Sequence, residues 1–157
     1  SGKKTRRFCF EAFLPYDKKE REEVLAELKK ETRTILLYEA PHKLKKTLAD
    51  LYEALGDRPV SIVKELTKKH ETNYQTTIGA AIAYYEEEEP RGEYVLVIEG
   101  MDREILKEKE MQPFLEMTIP EHVQYYMNQG MDKKSAMKQT AKDRGVGKRD
   151  IYQALLE

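Results

Sequence analysis

Thr34-Ile35-Leu36-Leu37-Tyr38-Glu39-Ala40-Pro41-His42-Lys43 sets a strand directly against a helix. The apolar run at its start is uninterrupted, the pattern of a strand buried on both faces of a sheet. Leu44, Leu48, Leu51 and Leu55 then come at spacings of four, three and four, which is one stripe of an amphipathic helix. Tyr38 to Lys43 is therefore a strand-to-helix corner. Pro41 suits the first helical turn, where its missing N–H breaks no bond. Free backbone amides, an acid and an imidazole gather there, beyond the strand's carboxyl end, where open α/β sheets bind ligands. A Glu and a His flanking such a Pro also serve simply as polar groups near a helix dipole. The hexapeptide alone leaves both readings open.

Working outward, Arg7 to Leu14 reads as an aromatic-rich strand stopped by Pro15. Within it Cys9, the single cysteine, suits a small buried thiol better than a nucleophile. Asp17 as N-cap, with Glu20 three residues on, opens a helix burying Val24, Leu25 and Leu28. Beyond the central helix, Gly56-Asp57-Arg58-Pro59 is a C-cap glycine with a proline stop. Val60 to Leu66 reads as a third strand and Asn73 to Thr76 as a short fourth one. Thr77 then caps a helix burying Ile78, Ala81, Ile82 and Tyr85, and Glu86 to Glu89 form its solvated, fraying end. Glu93 to Gly100, apolar at both parities, reads as the central strand. Residues 101–117 are charge-rich, a frayed helix or linker with its limit at Pro113. Three short helical patterns come next, over 120–129, 132–144 and 148–156. The expected organisation is an α/β lobe over 1–100, a linker over 101–117 and a helical tail over 118–157.

Composition narrows the function classes. The 28 basic and 29 acidic residues nearly cancel, so attraction to nucleic acid or membrane must be local. No apolar run approaches the roughly 20 residues of a spanning helix, and the N-terminus lacks a signal peptide's apolar core, which predicts a soluble, cytoplasmic protein. Ser1-Gly2-Lys3-Lys4-Thr5 begins without Met and runs straight into a strand, as if cut in a linker from something longer. His42, His70 and His122 stand apart without metal-ligand spacing, and no phosphate loop or nucleophile elbow occurs.

Four stretches carry a family resemblance. They are Phe10-Glu11-Ala12-Phe13-Leu14-Pro15, Tyr38-Glu39-Ala40-Pro41-His42-Lys43, Glu65-Leu66-Thr67-Lys68 with His70-Glu71, and Gly92 to Gly100. In this order and at these separations they resemble the C-terminal half of the 16S rRNA cytidine 2′-O-ribose methyltransferases, within the tetrapyrrole methylase family. The resemblance implies a mixed sheet of about five strands with flanking helices. It also implies a cleft for S-adenosylmethionine whose other wall is a missing N-terminal lobe, with small-subunit 16S rRNA as substrate and a homodimer as the assembly. Carried over by position, Phe13, Leu14, Pro15, Ala40 and Pro41 would bind the cofactor. Glu39 or His42 could act as catalytic base, and Glu39, Glu65, Thr67 and Lys68 would face the RNA or help order the site. The chain departs from the family pattern at Ala12 and at Gln75-Thr76, where a glycine is common. The fragment alone is expected to be inactive. A tetrapyrrole methylase lobe and a non-catalytic nucleic-acid adaptor are the alternatives.

The tail adds its own signal. Ala141, Gly145 and Ile151 fall at helix-turn-helix spacing. Lys133, Lys134, Lys138, Lys142, Arg144, Lys148 and Arg149 stand against only Asp132 and Asp143, a local surplus of five positive charges that predicts a phosphate-contacting surface. Tyr125, Tyr126 and Tyr152 lie near apolar stripes and are expected in the core.

Overall fold

The computed structural model describes residues 1–156. The chain falls into two compact units, Ser1–Arg103 and the residues from Glu104 on. The first contains β1 (Phe8–Ala12), α1 (Lys18–Lys29), β2 (Thr34–Glu39), α2 (Pro41–Leu55), β3 (Pro59–Lys64), β4 (Thr72–Thr77), α3 (Ile78–Glu87) and β5 (Tyr94–Ile98). The five strands form one mixed sheet in the order β1-β2-β5-β3-β4. β5 is central, as its two-sided apolar pattern requires. β1 and β2 are parallel, while β5 runs antiparallel to both β2 and β3. The carboxyl ends of β1, β2 and β3 and the amino end of β5 thus share one edge of the sheet.

All three helices bury their apolar stripes on the same face. Leu25 and Leu28 of α1, Leu44, Leu48, Leu51 and Leu55 of α2, and Ile78, Ala81 and Tyr85 of α3 form one core with Ile35, Leu37, Val60, Ile62, Leu96 and Ile98. Each fully buried leucine of α2 contributes about 1.5–3 kcal/mol of transfer free energy. The opposite face is not covered by a helix of this unit, so burial of β2 on both faces is corrected. Ile35 and Leu37 are fully buried, but Tyr38 is exposed. N-terminal residues lie against that face instead: Ser61 Oγ donates to the Ser1 carbonyl at 2.8 Å and Thr34 Oγ1 to the Lys4 carbonyl at 2.6 Å.

The first strand stops at Ala12, short of the expected Leu14, because the chain bulges against β2 there and Ala12 takes φ 53°. The third stops at Lys64, since Glu65 also turns to φ 53°. Residues 101–117, expected as frayed helix or linker, contain a 13-residue helix, α4 (Arg103–Leu115), with Pro113 inside it. Pro113 removes one i→i−4 hydrogen bond, and the helix stops two residues later, while charged residues of good helix propensity fill the preceding turns.

In the second unit α4 is followed by α5 (Ile119–Asn128), α6 (Lys133–Arg144) and α7 (Lys148–Ala154). Thr118 and Glu121 form a reciprocal capping box that starts α5. Val123, Ala136, Ala141 and Ile151 make its small core. Gly145, at φ 65°, turns the chain between α6 and α7 in the left-handed conformation that only glycine adopts without strain.

Candidate functional site

A cleft of about 730 Å³ opens at the shared sheet edge. It is lined by Phe13 after β1, by Tyr38, Glu39, Ala40, Pro41 and His42 at the β2–α2 corner, by Leu66 and Thr67 after β3, and by Glu93, Tyr94 and Val95 at the start of β5. Residues as far apart in sequence as Phe13 and Val95 therefore meet on one wall, because parallel β1, β2 and β3 deliver their carboxyl ends to the same side. Phe13 is 56% exposed and Tyr38 is 42% exposed, with their ring centroids 5.8 Å apart. Phe10 packs edge-on against Tyr38 at 5.0 Å.

Backbone strain concentrates at this rim. Among the described residues, the non-glycine positions with positive φ are Ala12, Glu65 and Thr67, the last at 66°. Thr67 lines the cleft, and the other two adjoin lining residues. A β-branched residue in that region costs about 1–3 kcal/mol, and such strain gathers where surrounding structure must hold a functional shape. Gly92, at φ 83°, allows the Glu65 carboxyl to lie against it, and any side chain there would collide with Glu65. A second groove, of about 750 Å³, runs between α1 and α2. Its lining is mostly charged side chains, and none of the strained positions borders it.

A model of the tetrapyrrole (corrin/porphyrin) methylases matches residues 3–82. The chain belongs to this family. Among curated relatives, the ribosomal RNA small subunit methyltransferase I of Bacillus subtilis is 44% identical over 147 residues, covering 94% of this chain and 50% of that protein. The protein of the same name from Halalkalibacterium halodurans is 41% identical, covering 97% and 52%, and that of Synechocystis sp. is 39% identical, covering 100% and 55%. The chain spans about half the length of these relatives. Among solved structures, the cobalamin biosynthetic enzyme cobalt precorrin-4 methyltransferase aligns at 22% identity with a TM-score of 0.41, covering 59% of this chain and 40% of that one.

Within this methylase lobe the expected site residues divide. Phe13, Ala40, Pro41, His42 and Thr67 line the cleft together. Leu14 does not: it is 5% exposed and belongs to the core. Pro15 is also absent from the lining, and its carbonyl accepts from Arg21 Nη1 at 3.3 Å. Glu39, expected as a possible base, is 4% exposed with both carboxyl oxygens committed. Oε1 accepts from the Ala40 N–H at 2.8 Å and Oε2 from the Thr47 hydroxyl at 2.5 Å, so the carboxyl holds the corner's shape. Glu65 and Lys68 are likewise engaged. Glu65 Oε1 accepts from the Glu93 N–H at 2.7 Å, which, with Lys68 behind it, holds the Glu65 carboxyl below the usual range. Lys68 Nζ lies 2.9 Å from Glu93 Oε2 and 3.4 Å from Glu65, a cation between two acids with no surplus charge for RNA.

Tyr38, Leu66, Glu93, Tyr94 and Val95 also line the cleft, although sequence reasoning assigns them no role there. All but the first two belong to the amino end of an antiparallel strand, whereas strand-to-helix corners draw attention to carboxyl ends. Tyr38 lies inside the corner hexapeptide, and its parity with Leu36 is the available signal.

The helical unit holds a buried polar cluster of its own. His122, fully buried, stacks on Phe114 at 4.3 Å with the rings 8° apart. Its Nδ1 accepts from Arg144 Nε at 3.1 Å. Arg144 Nη2 also donates to the carbonyls of Phe114 at 2.7 Å and Met117 at 2.5 Å. Burial, reinforced by the Arg144 charge, pushes the His122 pKa down, and Asp143 only partly opposes this. His122 Nε2 lies 3.5 Å from Asp143 Oδ2 without a hydrogen bond between them. Tyr126 donates to that same Oδ2 and its phenol is raised to about 12, first by burial and then by this bond. Arg144 is therefore a clamp on the α4–α5 connection, and leaves the set expected to contact phosphate. Lys133, Lys134, Lys138, Lys142, Lys148 and Arg149 are exposed. Lys134, Lys138 and Lys142 recur every four residues, on one side of α6. Tyr125 and Tyr152, expected in the core, are 37% and 58% exposed; at Tyr152 this is because Ile151 takes the inward position on so short a helix.

Proposed function

We propose that this chain forms one wall of a methyl-donor cleft in an rRNA methyltransferase, and that S-adenosylmethionine is the donor. The observation that carries this is the convergence of Phe13, Tyr38, Ala40, Pro41, His42, Thr67 and Val95 on one open cleft in a chain of this family. Its volume lies within the range that takes small-molecule cofactors, and its lining of aromatic and aliphatic groups with a few polar ones suits an adenosine with a sulfonium-bearing arm. Phe13, Tyr38, Ala40, Pro41 and Val95 are the residues that would hold it. When bound, the group supplies an electrophilic methyl on sulfur.

Attack by a ribose 2′-hydroxyl forms an O–C bond, breaks the S–C bond and leaves one proton to be accepted. His42, exposed at the start of α2, is the side chain on this wall available for that proton. Glu39 keeps the corner in shape behind it. The wall also excludes water and fixes the approach, which contributes strongly to methyl transfer through alignment. The relatives' printed names favour rRNA over a tetrapyrrole as substrate, and a cytidine ribose of 16S rRNA follows from the resemblance of the four stretches. The exposed lysines of α6 and α7 fit contact with RNA phosphates. Half-exposed aromatics on the rim fit an opposite wall contributed by the remaining length seen in the relatives, and association into a homodimer in the cytoplasm completes the reading.

Methyl transfer from labelled S-adenosylmethionine to small ribosomal subunits tests it. A protein comprising this chain and the other half found in its relatives should label a cytidine 2′-oxygen, and residues 1–157 alone should not. Labelling of a base or of a tetrapyrrole by the longer protein, or turnover by the chain alone, would overturn it.

A further inference from the structure

Arg21, in the first turn of α1, has all three guanidinium nitrogens committed. Nε donates to Asp50 Oδ2 at 2.7 Å, Nη2 to Thr47 Oγ1 at 2.8 Å and Nη1 to the Pro15 carbonyl at 3.3 Å. Its side chain is 12% exposed. Thr47 is 1% exposed and has a single hydroxyl proton, which it gives to Glu39 Oε2. A second hydroxyl lone pair receives Arg21. The donor order is thus one-directional, from Arg21 to Thr47 to Glu39, and the Ala40 N–H closes onto the same carboxyl. One end of this array is the loop that carries Phe13, and the other is the corner that carries Ala40, Pro41 and His42. These are two separate parts of the cleft rim.

We propose that Arg21 is a positioning residue of the cleft, tying the loop 13–16 to the corner 39–42 through Pro15 on one side and the Thr47–Glu39 pair on the other. The proposal rests on reading the cleft as the methyl-donor site, and adds to it the source of its shape. A planar fork of fixed geometry suits this task, since it reaches three acceptors in different directions, whereas a lysine offers a single nitrogen. Thr47 lies on the apolar stripe of α2 between Leu44 and Leu48, a place where a buried hydroxyl is costly unless it is bonded on both sides, as here. Misplacement by about 1 Å in a site that works by alignment costs roughly 100-fold in rate, so a tie of this kind bears on function.

Backbone order parameters from ¹⁵N relaxation on the 157-residue chain test the proposal. Wild-type values of about 0.85 are expected at Leu14, Tyr16, Glu39 and Ala40. R21M should bring both segments below about 0.6, although Arg21 touches neither Glu39 nor Ala40, while β5 stays rigid. T47V, which keeps the volume and removes the hydroxyl, should loosen 39–42, and T47S, which keeps the hydroxyl, should not. R21K should loosen the loop 13–16 as R21M does. Rigid segments in R21M, equal loosening of β5, or identical behaviour of T47V and T47S would overturn the proposal. Should R21M fail to fold, the T47V and T47S pair decides. S-adenosylhomocysteine titrated into the same samples gives a separate answer: no binding to a wild-type lobe with the expected order parameters would count against the cofactor reading and leave the tie standing.

Discussion

Arg21 in the α/β lobe and Arg144 in the helical unit are both largely engaged inside their own units, yet they stand in different surroundings. Arg21 ends on the Pro15 carbonyl and the Thr47 hydroxyl, behind two parts of the rim of an open cleft, whereas Arg144 ends in a closed connection between α4 and α5, on two carbonyls and a buried imidazole. The same residue type therefore shapes a site in one unit and seals a joint in the other. Positive charge in the sequence does not by itself mark a binding surface. What separates Arg144 from Lys134, Lys138 and Lys142 is the set of acceptors around it, which linear spacing does not reveal.

The largest effect should come from setting these two kinds of cation against each other. R144M should destabilise the helical unit by about 3 kcal/mol, because charge-assisted bonds to buried carbonyls are lost together with the partner of His122. K138Q should change its stability by under about 0.5 kcal/mol. Thermal melts followed by unit-specific resonances would measure both. For RNA binding the order should reverse, with the triple change K134Q/K138Q/K142Q flattening the salt dependence by about two to three units of slope.

A second contrast is in acid. The His122 pKa in the folded unit is depressed below its unfolded value of about 6.5, so the unfolded chain binds a proton that the folded one refuses. Stability of the helical unit is full above about pH 6.5 and is lost as pH falls below it, down through the folded pKa. In the lobe, hydrogen bonds from Arg33 hold Glu31 at about 2, so its contribution is present above about pH 4.5 and disappears only as pH falls toward that value. Unfolding midpoints measured at about pH 7.5 and 5.5 should therefore drop for the helical unit and hold for the lobe.

The smallest effect concerns the strained rim. Ala12 at φ 53° costs about 1 kcal/mol relative to glycine, partly offset by the extra freedom glycine brings to the unfolded chain. A12G should raise lobe stability by about 0.5 kcal/mol in denaturant titrations.

These particulars show how much linear sequence reveals. The corner at Pro41, the stripe from Leu44 to Leu55 and the central β5 are legible because period and turn chemistry are local properties. Ala12 departs from a family glycine, and the left-handed φ there agrees with a position that favours one. Gln75 departs in the same way but sits in a regular strand paired with Ser61, and nothing in the structure explains it. The ordering role of Glu39 is less legible than its candidacy as a base, because its partners, Thr47 and, through it, Arg21, come from two different helices. Leu14 reads wrongly as a cofactor contact because the bulge at Ala12 shifts the parity of the residues after it. Thr47 on an apolar stripe is the one visible hint of the buried array.

The cleft itself is most directly tested by mapping where S-adenosylhomocysteine perturbs the ¹H–¹⁵N spectrum of the lobe at about 10 mM, enough to populate even a millimolar complex. The account predicts shifts at Phe13, Tyr38, Ala40, Thr67 and Val95 together. Shifts centred on Leu25, Ala26 and Ala54 in the groove between α1 and α2, or none at all, would contradict it.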